Sequence, residues 1–121
     1  MSRIFQFDTH SDKRGFLTVI EKEIPFAIKR VFYIYGVDES KRGFHKHIKT
    51  RQLAVCIKGS CNIIFSKDNI DTNFTLNNPQ IGLLIEPEDF HWMENFSEDA
   101  ILLVLASEYF DENDYIYKNE N

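Results

Sequence analysis

Short runs of β-branched, aromatic and other apolar residues, separated by turn residues about every ten positions, dominate this sequence and favour a fold built from strands. Lys58-Gly59-Ser60 joins the runs at 52–57 and 61–65, which predicts a hairpin. Further predicted strands lie at 16–20, 28–35, 74–76, 81–85 and 101–106. No helix is evident before residue 107, although Asp111 is a suitable N-cap for a short helix in the tail. About eight strands predict an all-β jelly-roll barrel or sandwich.

The composition restricts the classes of protein to be considered. A length of 121 residues predicts one domain spanning 1–121, and a hydrophobic content of 43% is enough for a packed core. The net charge of −5 argues against a nucleic-acid partner, because nucleic-acid-binding surfaces are basic. No apolar run could span a bilayer and the first residues lack the core of a signal peptide, so we expect a cytoplasmic protein that does not bind membranes. Cys56 and Cys61 are expected to be free core thiols, with a bridge as the alternative.

Two histidines separated by one residue are the first candidate functional feature. His45 and His47 follow the turn at Arg42-Gly43, and in an extended segment residues two apart point to the same face. Two imidazoles side by side serve as metal ligands, as an acid/base pair, or as donors to a bound anion. The pattern therefore predicts a site inside the barrel, while leaving its chemistry open.

The spacing of further residues resembles the two signatures of the cupin superfamily. His45, His47, Gln52 and Gly59 match the first signature, and His91 lies in a stretch that resembles the second. Metal-binding cupins usually carry Glu at the position of Gln52, and a neutral amide is a poorer ligand for a divalent cation than a carboxylate. We therefore expect no metal and no other cofactor.

Longer segments resemble one family within the cupins, the dTDP-4-keto-6-deoxyhexose 3,4-ketoisomerases of bacterial surface-sugar pathways. The resemblance is carried in order along nearly the whole chain by residues 14–21 (RGFLTVIE), 24–35 (IPFAIKRVFYIY), 42–47 (RGFHKH), 55–61 (VCIKGSC) and 102–115 (LLVLASEYFDENDY). It implies a substrate that is a dTDP-linked 4-keto-6-deoxyhexose and a homodimer, with the exchange of N-terminal strands between subunits left open. The chain departs from the family at residues 88–90, before His91.

The implied reaction moves a ketone from carbon 4 to carbon 3 of the sugar through an enediolate. A base with a pKa near neutrality suits the removal of the proton on carbon 3, and histidine is the natural choice. We assign His47 as the base and His45 as the partner that orients the sugar or donates to the enediolate oxygen. Tyr33, turned inward by strand alternation, is expected to donate to the same oxygen, and Arg42 to polarise the carbonyl or bind a phosphate.

Four further residues are predicted to contact the substrate. Tyr35 shares a face with Tyr33 and is expected to pack or to contact the sugar, and Arg14 lies in a turn where a diphosphate contact is expected. Gln52 and His91 are expected to line the pocket.

Three alternative functions remain open at this point. One is a metal-dependent cupin oxygenase, with His45, His47 and His91 as a facial ligand set. Another is a non-catalytic cupin that binds a sugar nucleotide. The third is an epimerase, which uses a similar deprotonation in a related barrel.

Overall fold

In a computed structural model that describes residues 3–117, the chain forms twelve strands and one short 3₁₀ turn, η1. The elements in chain order are β1 (Ile4–Gln6), β2 (Asp8–Asp12), β3 (Gly15–Val19), β4 (Arg30–Tyr35), β5 (Arg42–His47), β6 (Gln52–Lys58), β7 (Cys61–Lys67), β8 (Ile70–Leu76), β9 (Ile81–Ile85), β10 (His91–Glu94), β11 (Ile101–Ala106), η1 (Glu112–Asp114) and β12 (Tyr115–Ile116). No helix in this part of the chain is long and apolar enough to cross a membrane.

The strands form two five-stranded sheets and a separate hairpin. One sheet has the order β1-β9-β6-β11-β4 and the other has the order β12-β5-β10-β7-β8, while β2 pairs only with β3. Neighbouring strands in both sheets are antiparallel. The predicted all-β sandwich is confirmed, and so is the hairpin of β6 and β7.

Strand β6 explains why the first sheet is apolar on both faces. Ala54 and Cys56 point between the sheets into the main core, which includes Ile63 and Leu102. The alternate residues of β6 point outward, where the N-terminal segment covers them with side chains that include Phe7. Because both faces of β6 are covered, its first five residues are all buried. The two cysteines are free and buried, as expected.

The C-terminal segment, for which the sequence predicts a short tail or a helix, forms one helical turn followed by a two-residue strand. Asp111 is an N-cap, as predicted, and its side chain accepts a hydrogen bond from the amide of Asn113. The helical turn that follows has only three residues, because Tyr115 and Ile116 leave it to pair with β5. No local pattern indicates this long-range pairing, and the sequence analysis also missed β1, β2 and β10.

The hairpin turn at Gly59 provides a test of the packing. Gly59 and Gly36 have nearly the same left-handed backbone, with φ of +70° and +68°. A Cβ on Gly36 would meet nothing within 4 Å, whereas on Gly59 it would clash with Ser97 Oγ and lie 2.9 Å from the Cα of Ala100. Ser97 Oγ cannot move away freely, since it accepts a hydrogen bond from the Ser60 amide.

We expect Gly36→Ala to cost about 1–2 kcal/mol of unfolding free energy, from the left-handed backbone alone. Gly59→Ala adds overpacking of about 1–3 kcal/mol to that strain, so it is expected to cost about 3 kcal/mol or more. Urea denaturation of both variants at equal m-value measures the difference. Equal losses in the two variants would contradict the close packing of the turn.

Candidate active site

Strands β5 and β10 bring three imidazoles together between the two sheets. His45 lies opposite His91 in the β5–β10 register, and a bulge at this point is accommodated by positive φ angles at Gly43 and Phe44. The ring centroid of His45 lies 5.0 Å from that of His47 and 5.1 Å from that of His91, both edge to face. These three rings form the imidazole cluster. The prediction that His45 and His47 project to the same face is confirmed.

A buried carboxylate fixes the orientation of His47. His47 Nδ1 donates to Asp114 Oδ2 over 2.9 Å, and Thr50 Oγ1 donates to the same oxygen. Asp114 Oδ1 accepts from the amides of Ile48 and Lys49 at 3.1 and 2.7 Å. A carboxylate only accepts hydrogen bonds, so the proton of His47 resides on Nδ1 and its Nε2 presents a lone pair.

The remaining polar atoms of the site lack partners. His91 Nδ1 donates to the carbonyl of Asp89 at 2.9 Å, which leaves its Nε2 unprotonated as well. His47 Nε2, His91 Nε2 and Gln52 Oε1 are all buried without a hydrogen-bond partner within residues 3–117. Gln52 alternates with Leu53 and shares the inward face of Ala54, so its side chain points between the sheets. Buried acceptors without partners are costly, so this arrangement suits a ligand that carries hydroxyl groups.

Burial keeps the imidazoles neutral. Desolvation lowers the pKa of His45 to about 4, and the neighbouring His91 and His47 lower it further. Desolvation likewise lowers the pKa of His91 to about 4. Burial also lowers the pKa of His47; the hydrogen bond to Asp114 opposes this effect, and the charge of Arg30 adds to it. At neutral pH all three rings can therefore accept a proton.

The pKa of the Asp114 carboxyl is lowered, which favours the ionised form that accepts a hydrogen bond from His47. Burial acts to raise the pKa of the Asp114 carboxyl. The hydrogen bonds from Thr50, from the Lys49 amide and from His47 outweigh burial and hold the pKa below its ordinary value. Asp114 is therefore ionised beside His47.

Aromatic side chains of the C-terminal tail cover the cluster. The ring of Tyr115 lies 4.5 Å from His47 and 4.9 Å from His45, and Tyr117 lies 6.0 Å from His45. His45 is half-buried beneath these rings, whereas His47 and His91 are fully buried. Of the three imidazoles, His45 is therefore the one that a ligand entering the site can reach.

Sequence reasoning missed Asp114, Tyr115 and Arg30 as site residues. Asp114 and Tyr115 belong to the C-terminal segment, which the sequence predicts as a tail or short helix at the edge of the fold. Neither residue lies in a sequence motif that marks it as part of a site. Arg30 lies on the inward face of β4. Side chains of a strand alternate between its two faces. If Phe32 and Ile34 are assigned to the core, the same alternation turns Arg30 inward and Tyr33 outward.

The predicted inward orientation of Tyr33 is wrong. Phe32 and Ile34 pack against the main core, so Tyr33 and Tyr35 face outward and are 61% and 67% exposed. Their rings stack on each other with centroids 5.8 Å apart. Within one chain these tyrosines do not contact the imidazole cluster.

The predicted arginines lie away from the cluster in a single chain. Arg14 sits at the tip of the β2–β3 hairpin with its side chain 85% exposed, where its Nη2 binds Asp12 at 2.6 Å. Arg42 is exposed at the start of β5, three residues before His45. Gln52 and His91 lie in the interior, as predicted.

The metal-binding alternative can be compared with the geometry. In the described part of the chain, no group of three or more His, Cys, Asp or Glu side chains is arranged to hold a metal ion. The Nδ1–H groups of His47 and His91 donate to protein partners, which leaves the Nε2 atoms of these rings as two separate acceptors.

Comparisons with known proteins agree with this geometry. The family model described as "FdtA: WxcM-like, C-terminal" matches residues 1–121. A curated protein of Aneurinibacillus thermoaerophilus, TDP-4-oxo-6-deoxy-alpha-D-glucose-3,4-oxoisomerase, is 45% identical over 123 residues, which is 99% of this chain and 88% of that protein.

Solved structures of the QdtA 3,4-ketoisomerase from Thermoanaerobacterium thermosaccharolyticum superpose with a TM-score of 0.92. A double mutant in complex with TDP is 46% identical, and a point mutant in complex with TDP-4-keto-6-deoxyglucose is 43% identical. Each match covers 95% of this chain and 86% of the other. With a family model that spans every residue and a relative at 45% identity, the chain belongs to the FdtA, WxcM-like C-terminal family.

Proposed function

We propose that this protein is a sugar-nucleotide 3,4-ketoisomerase that converts TDP-4-keto-6-deoxyglucose to the corresponding 3-ketosugar. The observation that carries the proposal is the imidazole cluster, in which two buried Nε2 atoms are unpaired acceptors beside the half-buried His45. The activity printed for the relative at 45% identity, a 3,4-oxoisomerase, is one that such a cluster can perform. The reaction needs only proton transfers, which positioned imidazoles provide.

The two histidines of β5 exchange the roles that the sequence suggested. His47 Nε2 is buried, and its ring is held from behind by Asp114, whereas His45 is accessible beneath Tyr117. A base must reach the proton it removes, so His45 is the group that takes the proton from carbon 3. His47 is then the adjacent imidazole, which is positioned to hydrogen-bond the hydroxyl at the reacting carbons.

The reaction moves two protons, one between carbons and one between oxygens. The C–H bond at carbon 3 breaks toward His45, its electron pair forms a double bond between carbons 3 and 4, and the oxygen on carbon 4 takes the charge. The proton on the oxygen of carbon 3 then passes to the oxygen of carbon 4, and His45 returns its proton to carbon 4, which leaves a ketone on carbon 3 and a hydroxyl group on carbon 4. A ring with a pKa of about 4 is a strong acid once protonated, which favours return of the proton.

The arginines of the predicted site are proposed to act at the diphosphate. The exposed guanidinium of Arg42 lies at the rim, three residues before His45, and its forked donors match a phosphate. Gln52 and His91 offer buried acceptors to sugar hydroxyls. Arg14 is carried on a hairpin that pairs with neither sheet of its own chain, so its contact with substrate requires a second copy.

Incubation with TDP-4-keto-6-deoxyglucose in deuterated water, followed by NMR, tests the reaction. We expect the ketone to move to carbon 3 with deuterium incorporated at carbon 4. His45→Asn is expected to lose about 10²–10⁴-fold in turnover, because the general base is removed. Asp71→Asn, which changes an exposed residue of the edge strand β8, is the control and should retain the wild-type rate.

Three outcomes of this experiment would contradict the proposal. Inversion of a carbon without migration of the ketone would indicate an epimerase. Turnover that depends on an added divalent metal would indicate metal-assisted chemistry. Binding of the sugar nucleotide with no exchange of protons would indicate a non-catalytic protein.

The pH dependence follows from the depressed pKa values. The base must be neutral, so kcat/KM is expected to hold down to about pH 5 and to fall as His45 gains a proton near its pKa of about 4. Asp114→Asn removes the carboxylate that raises the pKa of His47 and favours the wrong tautomer of that ring. We expect it to lower kcat about 10²-fold or more, whereas Asp111→Asn, an exposed carboxylate on the same turn, should not.

The control for this profile is the stability of the fold. The folded pKa of His91 lies below its value of 6.5 in the unfolded chain, so unfolding takes up a proton between those values. The stabilising contribution of neutral His91 is complete above pH 6.5 and is lost as pH falls toward 4. Melting temperatures at each pH therefore separate unfolding from titration of the base, and an acid limb that stays above pH 6 in folded protein would contradict the assignment.

A homodimer with exchanged N-terminal hairpins is proposed for the assembly. The outward face of β4 and its neighbours exposes Val31, Tyr33, Tyr35 and Ile57. Of these, both tyrosines and Ile57 line a cavity of about 520 Å³. Strand β4 is also an edge of its sheet, and an edge strand is a site for pairing with another chain. Phe16, at the tip of the β2–β3 hairpin, is 80% exposed, which suits a hairpin that reaches a second copy.

Sedimentation velocity tests this assembly. The wild type is expected to sediment as a dimer at micromolar concentration, and Val31→Glu, which places a charge on the apolar face, is expected to sediment as a monomer. Ile70→Glu alters an apolar side chain that is 68% exposed on β8 of the other sheet, and it should leave the dimer intact. A monomeric wild type, or a dimer that survives Val31→Glu and dissociates with Ile70→Glu, would contradict the proposed interface.

A further inference from the structure

Arg30 is a half-buried cation on the inward face of β4. Arg30 begins β4 on the same face as Phe32 and Ile34, which point into the main core. Its Nε is buried and has no hydrogen-bond acceptor, and within residues 3–117 Arg30 forms no ion pair. A buried N–H donor without an acceptor is costly, and Arg30 also carries a positive charge, so the arrangement suits a negatively charged oxygen that comes from outside the chain.

The sheet register places Arg30 in line with Gln52. Arg30 pairs with Ala106 on β11, and Ala106 pairs with Gln52 on β6, so the three side chains share one row and one face. The small methyl group of Ala106 lies between the two polar side chains. Both ends of the row thus carry a buried polar atom without a partner, namely Arg30 Nε and Gln52 Oε1.

Ring contacts connect Arg30 to the imidazole cluster. Its guanidinium lies 5.8 Å from the ring centroid of Phe110, and Phe110 lies 5.8 Å from Tyr115. Tyr115 is in turn 4.5 Å from His47. The charge of Arg30 also lowers the pKa of His47.

We propose that Arg30 is a catalytic residue that donates from Nε to the oxygen on carbon 4 as negative charge develops there in the enediolate. The inference rests on the proposed ketoisomerase function. When the C–H bond at carbon 3 breaks toward His45, the electron pair moves into the carbon 3–carbon 4 bond and the charge passes to that oxygen. The proton, the electrons and the charge all stay within the substrate and the protein, with no oxidant or reductant required.

The weakness of the base explains why such a donor is needed. Neutral His45, with a pKa of about 4, is a poor base for a carbon acid, so removal of the proton depends on stabilising the anion that results. A fixed donor in a site of low dielectric stabilises developing charge strongly, because it does not have to reorient. The ground-state ketone carries little charge, so Arg30 acts mainly on the transition state.

The diphosphate of the substrate is the other anion that Arg30 could bind, and the geometry favours the enediolate. Nε of Arg30 is buried on the inward face of β4, while Arg42 is exposed at the start of β5. If Arg30 bound the diphosphate, it would strengthen the binding of TDP that carries no sugar. If Arg30 binds the enediolate oxygen, it has no effect on the binding of TDP.

The experiment compares Arg30→Gln and Arg30→Lys with Lys29→Met, which removes the adjacent, exposed cation at 48% side-chain exposure. Arg30→Gln is expected to lower kcat about 10²–10³-fold, the usual effect of removing one donor to a developing oxyanion. Its KM and its Kd for TDP should stay within a few-fold of the wild type. Arg30→Lys keeps the charge without the fixed Nε–H and is expected to recover part of the loss. Lys29→Met should behave as the wild type.

A second readout separates a catalytic role from a purely structural one. Loss of the cation removes an effect that lowers the pKa of His47, so the pKa of His47 measured by NMR titration is expected to rise in Arg30→Gln and to rise less in Arg30→Lys. Circular dichroism melts identify any variant that does not fold. If Arg30→Gln does not fold, the comparison is made on Arg30→Lys, which is expected to lose about tenfold or more in kcat with unchanged Kd for TDP.

Each contrary result has a distinct meaning. A folded variant with the wild-type kcat overturns the role of Arg30, and a weaker Kd for TDP with unchanged kcat assigns Arg30 to the diphosphate instead. If the wild-type protein itself does not move the ketone of TDP-4-keto-6-deoxyglucose, the proposed function fails. That failure is distinct from a failure of the role of Arg30, because it is seen in the wild type and not only in the variants.

Discussion

The hydrogen bond between His47 Nδ1 and Asp114 Oδ2 holds the active site of this protein together. It joins β5 to the C-terminal tail across 67 positions of sequence, and both side chains are almost fully buried. Because Asp114 also accepts from Thr50 and from two backbone amides, its charge is satisfied without water. The pair sets the tautomer of His47 and holds the tail so that Tyr115 covers the imidazoles. One hydrogen bond therefore determines both which nitrogen of His47 can accept a proton and which side chain covers the site.

The imidazole cluster and the row of Arg30 face each other from opposite sheets. One sheet contributes neutral acceptors, and the other contributes a cation and an amide oxygen. A neutral, weak base and a fixed positive charge are complementary, since the first can take a proton only if the second stabilises the anion left behind. Few groups are enough, because the space between the two sheets is shielded from water and each electrostatic interaction is stronger there.

The outward tyrosines show how the same strand serves two surfaces. Strand alternation sends Phe32 and Ile34 into the core and Tyr33 and Tyr35 to the outside. An apolar face on an edge strand is unfavourable in water, and pairing with a second copy would remove it. The β2–β3 hairpin, which pairs with neither sheet, and the exposed Phe16 at its tip fit the same requirement.

The sequence by itself determined the all-β fold, the β6–β7 hairpin and the shared face of His45 and His47, because these depend on local alternation and turn residues. It also identified the family, through motifs spread along the chain. Only the tertiary structure decided the inward phase of β4, the partnership of His47 with Asp114 and the proximity of Arg30. These depend on which face of a strand finds the core and on contacts between residues far apart in the chain, and no local pattern encodes either.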